Sequence, residues 1–476
     1  MSTSPAESYD VAVLGAGPAG LAATVASRAS GARTALVDAG TRVGGQFWRH
    51  RDGDDGTGHH QWPELRRLRA AVAGPDLLGG HAVWHAERTD RGVTLHTTTT
   101  VDGRSVSRRI RCRTLVVATG AYDRQLPFPG WTLPGVYTAG GAQALLKGHG
   151  VAVGRRVVVA GTGPFLLPVA AGLAEAGTEV VGVFEAGAPT GFARHPAAVL
   201  ANVGKLAEGA GYARTLLRHR VQYRTRTAVI AAHGGGDGVH AVTVARLDAG
   251  WNVRPGTERV LECDAVAVGY GFTPQLEIPL QLGCATRLDA DGSLVAVADD
   301  RQQASEPDVF LAGEVCGVGG AALSLVEGQL AGLHAARGHL DPGVLARLRR
   351  RRDRLRAFAT AMHDAHPVPT GWTGWLTGDT TVCRCEEVPV SAIRAAVTEL
   401  GATEARTVKL LARPGMGLCQ GRVCGYATAG LVARECGRAV TAQDLLGTAS
   451  RPIAQPVTLG SVAAGLDPTD DLPEDR

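Results

Sequence analysis

Short apolar runs alternate with glycine-rich turns and helical stretches through the first two thirds of the chain, which predicts repeated strand–turn–helix–strand units. Residues 9–14 read as a strand, 15–20 as a glycine-rich turn, 21–30 as a helix and 33–38 as the next strand. The layout returns at 156–160, 161–163, 164–177 and 179–185. Two such starts in one chain predict two dinucleotide-type folds, each built on a parallel sheet. Residues 214–266, rich in Val, Thr and Arg around a glycine turn at 234–238, read as β-strands. A further strand at 308–312 leads through 313–320 into a helix from Ala321.

Beyond His334 the pattern changes. Residues 345–361 have a helical period and carry Arg347, Arg349, Arg350, Arg351, Arg352, Arg354 and Arg356. A solvated linker helix is expected there, with a docking surface for an acidic partner or a phosphate as the alternative. A loop with Pro367, Pro369, Trp372 and Trp375 then leads to a cysteine-bearing module at 383–424, and the acidic tail 467–476 is expected to be disordered.

Composition changes this picture little. A chain of 476 residues exceeds one ordinary core, so two or three domains are expected. Net charge +4, from 49 basic and 45 acidic residues, gives no case for nucleic acid, which needs basic clusters interleaved with aromatics. The polar N-terminus does not fit a secretory signal. The apolar stretch 157–183 is interrupted by Gly161, Gly163, Pro164, Glu175 and Glu179, so no membrane span is expected. The expectation is a cytoplasmic protein, able to dock peripherally on the inner face of a membrane.

The first glycine turn has chemistry attached. Gly15-Ala16-Gly17-Pro18-Ala19-Gly20 follows a strand and opens a helix. Gly15 permits the tight turn, Gly17 lets a pyrophosphate approach the backbone, and Gly20 lets helix and strand pack closely, with the helix N-terminus facing the negative charge. Asp38 ends the next strand, eighteen residues beyond Gly20, where a carboxylate can accept hydrogen bonds from an adenosine ribose. The second turn, Gly161-Thr162-Gly163, has Leu166 in place of the third glycine, and Glu185 ends the following strand. Leu166 should narrow the space for a pyrophosphate, and Glu185 would repel a 2′-phosphate, so NADP is not expected. A working NAD site, a site for another adenine nucleotide and a relic fold stay open, with poor NADH entry favoured.

Nine cysteines are unevenly placed. Cys112, Cys263, Cys284, Cys316 and Cys436 are scattered, whereas Cys383-Arg384-Cys385 and Cys419-Gln420-Gly421-Arg422-Val423-Cys424 form two close pairs, 33 residues apart, with a helical stretch at 390–400 between them. Four thiolates on two short loops suit a tetrahedral zinc or a 2Fe-2S cluster, and spacing alone does not decide between them. Gly415, Gly417, Gly421 and Gly425 leave backbone amides open to cluster sulfurs, and Arg384 and Arg422 would raise a cluster's potential. A redox cofactor in the first dinucleotide site would supply electrons, which favours iron–sulfur. No C-x-x-C or C-x4-C pair occurs before residue 383, which argues against a disulfide reductase. His59 and His60 read as exposed loop rather than metal ligands, and Tyr122, Asp123 and Arg124 read either as lining of a flavin crevice or as loop packing.

Gly44-Gly45-Gln46, the strand end Ala118-Thr119-Gly120 and the late Gly313-Glu314 resemble the two-dinucleotide-binding flavoprotein family. That resemblance implies an α/β fold in which the first Rossmann-like domain binds FAD. It extends the candidate cofactor contacts to Ala39, Gly45, Gln46, Val83, Ala118, Thr119, Gly120, Gly313 and Glu314, the last standing where the family usually has Asp. The cysteine module resembles the BFD-like 2Fe-2S domain, with C-x4-C in place of the usual second C-x2-C. That variant, with 44–49, 118–131, 161–168, 415–424 and 451–457, is similar to the α-type subunits of opine and amino-acid (proline, hydroxyproline) dehydrogenases and the related hydrogen cyanide synthase subunit.

The resemblance implies an FAD-binding domain in two parts (1–125 and 269–345), a second dinucleotide-binding-like domain (126–268), a linker (346–378), the 2Fe-2S domain (379–445) and a C-terminal extension (446–476). It further implies a heteromer. A β-type flavoprotein oxidises a C–N bond, FMN sits at an interface between subunits, a small ferredoxin-like subunit joins in some members, and electrons leave to a quinone or another acceptor. The other functions left open are a self-sufficient NADH-dependent reductase and a zinc-stabilised interaction protein.

Overall fold

The computed structural model describes residues 7–451 and 453–465, so the acidic tail lies outside the described residues. Val11, Ala12, Val13 and Leu14 are buried in succession, without alternation. Such a run belongs to a parallel strand covered on both faces. Glu7–Leu14 accordingly lies inside a sheet, parallel to Thr34–Asp38 on one side and Arg104–Val117 on the other. Leu77–Gly79 extends the sheet beyond Thr34–Asp38. The long strand Arg104–Val117 changes partners along its length. Its first part closes an antiparallel meander with Gly92–Val101 and Ala82–Thr89, and its last residues pair parallel with Val309–Leu311. The returning late strand therefore lies beside the end of Arg104–Val117, one strand removed from the first, and helices Pro18–Ala29 and Ala321–Ala335 pack on each other.

A second parallel sheet runs Tyr223–Thr225, Glu179–Glu185, Arg156–Gly161, Ala265–Gly269, Val136–Thr138. The antiparallel meander Thr227–Gly235, Gly238–Arg246, Arg259–Glu262 packs against it. The chain crosses between the folds at Ala121–Asp123 and returns at Phe272–Pro274, and these two crossings pair antiparallel with each other.

Three elements depart from the sequence pattern. The first helix begins at Pro18, inside the glycine turn, because proline at the first helical turn is pre-organised for it. Residues 214–218 belong to the helix Val203–Arg218 rather than to strands. The arginine-rich helix, Pro342–Ala365, is not a free solvated linker. Asp341 caps it by accepting from Gly343 and Val344 N–H at 2.7 and 3.1 Å, and it packs along Ala321–Ala335. Arg356 pairs with buried Glu327 and donates to Gly317 O at 3.0 Å, while Arg352 pairs with Asp300 at 3.0 Å.

The cysteine module is a small ribbon, Thr381–Cys383 with Val388–Pro389, and four helices, Val390–Thr398, Ala405–Ala412, Gly425–Glu435 and Ala442–Ala449. It is wedged between the two folds. Val390, Ile393 and Leu431 share a core with Trp251, Tyr270 and Trp375 of the second fold region, while Ala429, Leu445 and Ala454 join the core of the first sheet. Among the described residues no helix is long and apolar enough to cross a membrane.

Candidate functional site

Parallel strands that end together leave a crevice beyond their carboxyl ends, where α/β sheets bind ligands. Here Leu14, Asp38, Val117 and Leu311 end the strands, and the glycine turn, Ala118-Thr119-Gly120 and Gly313-Glu314 follow them. Gly44 N–H donates to Ala16 O at 2.7 Å, and Ala118 N–H donates to Leu14 O at 2.8 Å. A β-carbon on Gly313 would stand 3.0 Å from that of Ala19, so the late segment lies against the start of the first helix. The helix Pro18–Ala29 has no side-chain cap and no acid in its first turn. Its leading N–H groups are thus left for an anion. A β-carbon at Gly17 would find nothing closer than Gly45 Cα at 3.9 Å, an open approach of the kind a pyrophosphate requires. The residues fit FAD.

Asp38 accepts from Ala16 N–H at 2.5 Å and Gly40 N–H at 2.6 Å. Burial raises its carboxyl pKa, against the lowering effect of those two amides. Ala39, next in the chain, and Gln46 are exposed. Val83 is buried, its side chain in the core of the first sheet. Burial pushes the Glu314 carboxyl up to about 7.

Gly20 differs from the sequence argument. A β-carbon there would meet Gly15 O at 1.7 Å before it reached Val13 at 3.4 Å, so the glycine protects the turn itself more than the helix–strand spacing.

The second fold presents a different picture at the same place. Glu185 is fully buried. It accepts from Thr162 Oγ1 at 2.6 Å and from the N–H groups of Gly163 and Gly187 at 2.8 Å each, and His366 Nδ1 lies 3.6 Å away. Gly191 comes so close to the end of the arginine helix that a β-carbon would stand 2.5 Å from Ala365 Cα. Leu166 is a core residue, 1% exposed.

The four cysteines of the C-terminal module line one pocket of about 340 Å³, together with Arg384 and Val423. Their thiols approach in two hydrogen-bonded pairs, Cys383 with Cys424 and Cys385 with Cys419, each taking one residue from each loop. Cys383 and Cys424 are buried, Cys419 is half-buried and Cys385 is exposed. The hydrogen bond from Cys424 lowers the Cys383 thiol to about 5, helped by Gly415 N–H at 3.4 Å, while Cys424 itself is pushed up. One zinc holding four thiolates at about 2.3 Å would bring all the sulfurs to about 3.8 Å of one another. No three of these sulfurs lie within 4.8 Å of one another; the group of three donors that does, among the described residues, is Asp289, Asp291 and His363. Arg124 and Arg287 already pair with those two acids. Two separated thiol pairs suit two irons better than one zinc. Gly417 is required by contact, since a β-carbon would lie 2.2 Å from Cys385 Cβ.

The remaining sequence candidates separate. Arg124 is loop packing, 2% exposed, bonded to Asp291 and Ser293 and stacked on Tyr426 at 4.4 Å. Asp123 accepts from Thr138 Oγ1 at 2.6 Å. Tyr122 points to the cysteine loop, where Arg422 Nε donates to its hydroxyl at 3.1 Å. His59 is not an exposed loop residue, for its side chain is buried against Trp62 and paired with Asp54 at 3.2 Å. Cys316 is buried, and burial pushes its thiol far up, as expected of an inert cysteine. Sequence reasoning missed Glu277, which lies in no motif, and gave no site role to Arg451, which opens the 451–457 stretch; the fold brings Glu277 to both Arg422 and Arg451.

Residues 9–339 match the pyridine nucleotide-disulphide oxidoreductase family, and residues 381–434 match the BFD-like [2Fe-2S] binding domain. The chain is 33% identical to the A subunit of opine oxidase from Rhizobium meliloti, over 97% of this chain and 99% of that one. It is 33% identical to the hydrogen cyanide synthase subunit HcnB of Pseudomonas protegens, over 88% of this chain and 91% of the relative. In fold it is similar to L-proline dehydrogenase from P. horikoshii, with a TM-score of 0.70 at 18% identity, covering 97% of this chain and 81% of that one. The chain belongs to the pyridine nucleotide-disulphide oxidoreductase family, in the group that includes the opine oxidase A subunits and HcnB, and is an FAD-dependent oxidoreductase chain with a C-terminal 2Fe-2S domain.

Proposed function

We propose that this chain is the electron-transfer subunit of a heteromeric amino-acid or opine-type dehydrogenase, taking electrons from a β-type flavoprotein that oxidises a C–N bond. FAD, when bound, exchanges electrons in pairs or singly, and a 2Fe-2S cluster accepts them one at a time. The residues Gly15, Gly17, Gly20, Asp38, Gly45, Thr119 and Glu314 would hold the first, and Cys383, Cys385, Cys419 and Cys424 the second. In this reading Cys383 and Cys424 hold the inner iron and Cys385 and Cys419 the outer one. An FMN at the interface with the β-type partner, a small ferredoxin-like subunit, and a quinone or other acceptor complete the proposed relay. Peripheral docking on a membrane would serve the quinone.

The observation that carries this reading is that the second fold, the usual entry for pyridine nucleotide, has its ribose-side carboxylate buried and bonded internally. Electrons then have to arrive from elsewhere. Arg124 is committed to Asp291 and Arg356 to Glu327, so neither is free to clamp a substrate carboxylate. The test is turnover of amino acids and opines with an artificial electron acceptor, first by the isolated chain and then with its co-expressed partner. Activity is expected only in the second case. Robust oxidation of any substrate by the isolated chain would make it the catalytic component and end the relay reading.

A further inference from the structure

The candidate flavin wall and the second cysteine loop are joined by buried charges centred on Glu277, which no sequence motif marks. Glu277 is 5% exposed and opens the helix Glu277–Gln281. Two residues earlier, Gln275 is tied to the flavin wall: its N–H donates to Gly120 O and its carbonyl accepts from Thr119 Oγ1, both at 3.0 Å. Glu277 Oε1 meets three donors, Arg422 Nε at 2.8 Å, Arg451 at 3.2 Å and the Tyr122 hydroxyl at 3.3 Å. Each arginine also grips the cysteine loop. Arg422 donates to Cys419 O at 3.1 Å, and Arg451 Nε donates to Gln420 O at 2.7 Å. The side chains of Glu277, Arg422 and Arg451 are only 6%, 11% and 9% exposed. Two guanidinium groups against one carboxylate leave a net positive charge, largely out of water, beside Cys419.

We propose that Glu277 is a positioning residue that sets the reduction potential of the cluster: it holds Arg422 and Arg451 on the cysteine loop and offsets one of their two charges. The inference rests on the iron–sulfur reading of Cys383, Cys385, Cys419 and Cys424. Reduction adds one electron to the cluster, and a nearby cation stabilises the reduced form more strongly where water is excluded. Replacing Glu277 by Gln keeps the shape and one acceptor but leaves both cations uncompensated, so the midpoint rises. Replacing Arg451 by Gln leaves Arg422 and Glu277 to cancel, so the midpoint falls. A loosened loop or admitted water would move both variants in the same direction, which separates the charge role from simple damage.

The experiment is an EPR-monitored redox titration of the full chain carrying its cluster, as wild type, Glu277→Gln, Arg451→Gln and Arg451→Lys, with iron counted on the same samples. Expected shifts are about tenfold in the reduced-to-oxidised ratio at fixed potential, or about 59 mV for one electron, upward for Glu277→Gln and downward for Arg451→Gln. Arg451→Lys keeps the charge and should stay near wild type. Should Glu277→Gln fail to retain iron, the comparison of Arg451→Gln with Arg451→Lys decides. Equal midpoints in all iron-bearing forms, shifts of one sign, or a fall in Arg451→Lys matching Arg451→Gln would each overturn the proposal. Wild-type protein holding zinc and no iron would instead overturn the iron–sulfur reading beneath it.

Discussion

Asp38 and Glu185 hold equivalent places in two folds of the same design, each at the end of the strand that follows a glycine turn and a helix. Around Asp38 the structure leaves room. Its carboxylate is half-buried, takes two backbone amides, one on each oxygen, and is followed by exposed Ala39. Around Glu185 the room is gone. Thr162, Gly163 and Gly187 donate to its two oxygens, and the end of the arginine helix, with His366, lies over it. Burial opposes ionisation of Glu185, yet the neighbouring His366 and the Thr162 and Gly187 donors hold its carboxyl below the usual range. The difference teaches that an acid at the strand end can accept from a ribose only where its lone pairs remain available. Both folds put a carboxylate at the same strand end, at nearly the same spacing from the glycine turn, and the surroundings decide.

The largest effects should come from the glycine turn of the first fold and its counterpart in the second. In Gly20→Val the new β-carbon would stand 1.7 Å from Gly15 O, a backbone atom that cannot swing aside. Loss of flavin is expected, with destabilisation of the first fold. Gly17→Ala has space in the unliganded chain, since the nearest atom is 3.9 Å away, so it should fold normally and lose flavin. Leu166→Ala removes a buried core side chain at a cost of about 2–5 kcal/mol, while flavin content stays that of wild type. Flavin absorbance per chain and the thermal midpoint measure all three. Full FAD occupancy in Gly20→Val and Gly17→Ala would remove the site assignment.

How much of this could be read in advance follows from the range of each signal. The first turn and Asp38 are local, eighteen residues apart, and a linear pattern carries them. The four cysteines were equally visible, but their crosswise pairing, Cys383 with Cys424 and Cys385 with Cys419, depends on how two loops meet. Glu277 and Arg451 are single polar residues whose meaning appears only when the crossing strand Phe272–Pro274 brings one to the other. The helix Val203–Arg218 escaped notice because it buries only Leu216, and Leu206 and Leu217 face solvent, so its apolar period is weak.

A kinetic test of the comparison comes next in size. NADH should reduce bound FAD slowly or not at all, because the second fold offers no free ribose carboxylate and Leu166 stands where the third glycine would be. Stopped-flow reduction at ordinary turnover rates, on the order of 10 per second or faster, would favour a self-sufficient reductase over the relay.

The smallest effect is expected at His366, and it asks which layer closes the second fold. At 3.6 Å its Nδ1 is too far from Glu185 for a good hydrogen bond, and that nitrogen has no hydrogen-bond partner. Its other contact is an edge-on approach to Phe192, with ring centroids 5.7 Å apart. His366→Ala also removes the neighbour that helps hold the buried Glu185 carboxyl low, so that carboxyl should move up and stability fall by about 1–3 kcal/mol. It removes the cover without touching the donors from Thr162, Gly163 and Gly187, so both Glu185 oxygens stay engaged. NADH reduction of the variant should remain as slow as in wild type. If fast reduction appears in His366→Ala, the helix end alone bars the nucleotide, and the two folds differ by a removable cover rather than by the commitment of the acid itself.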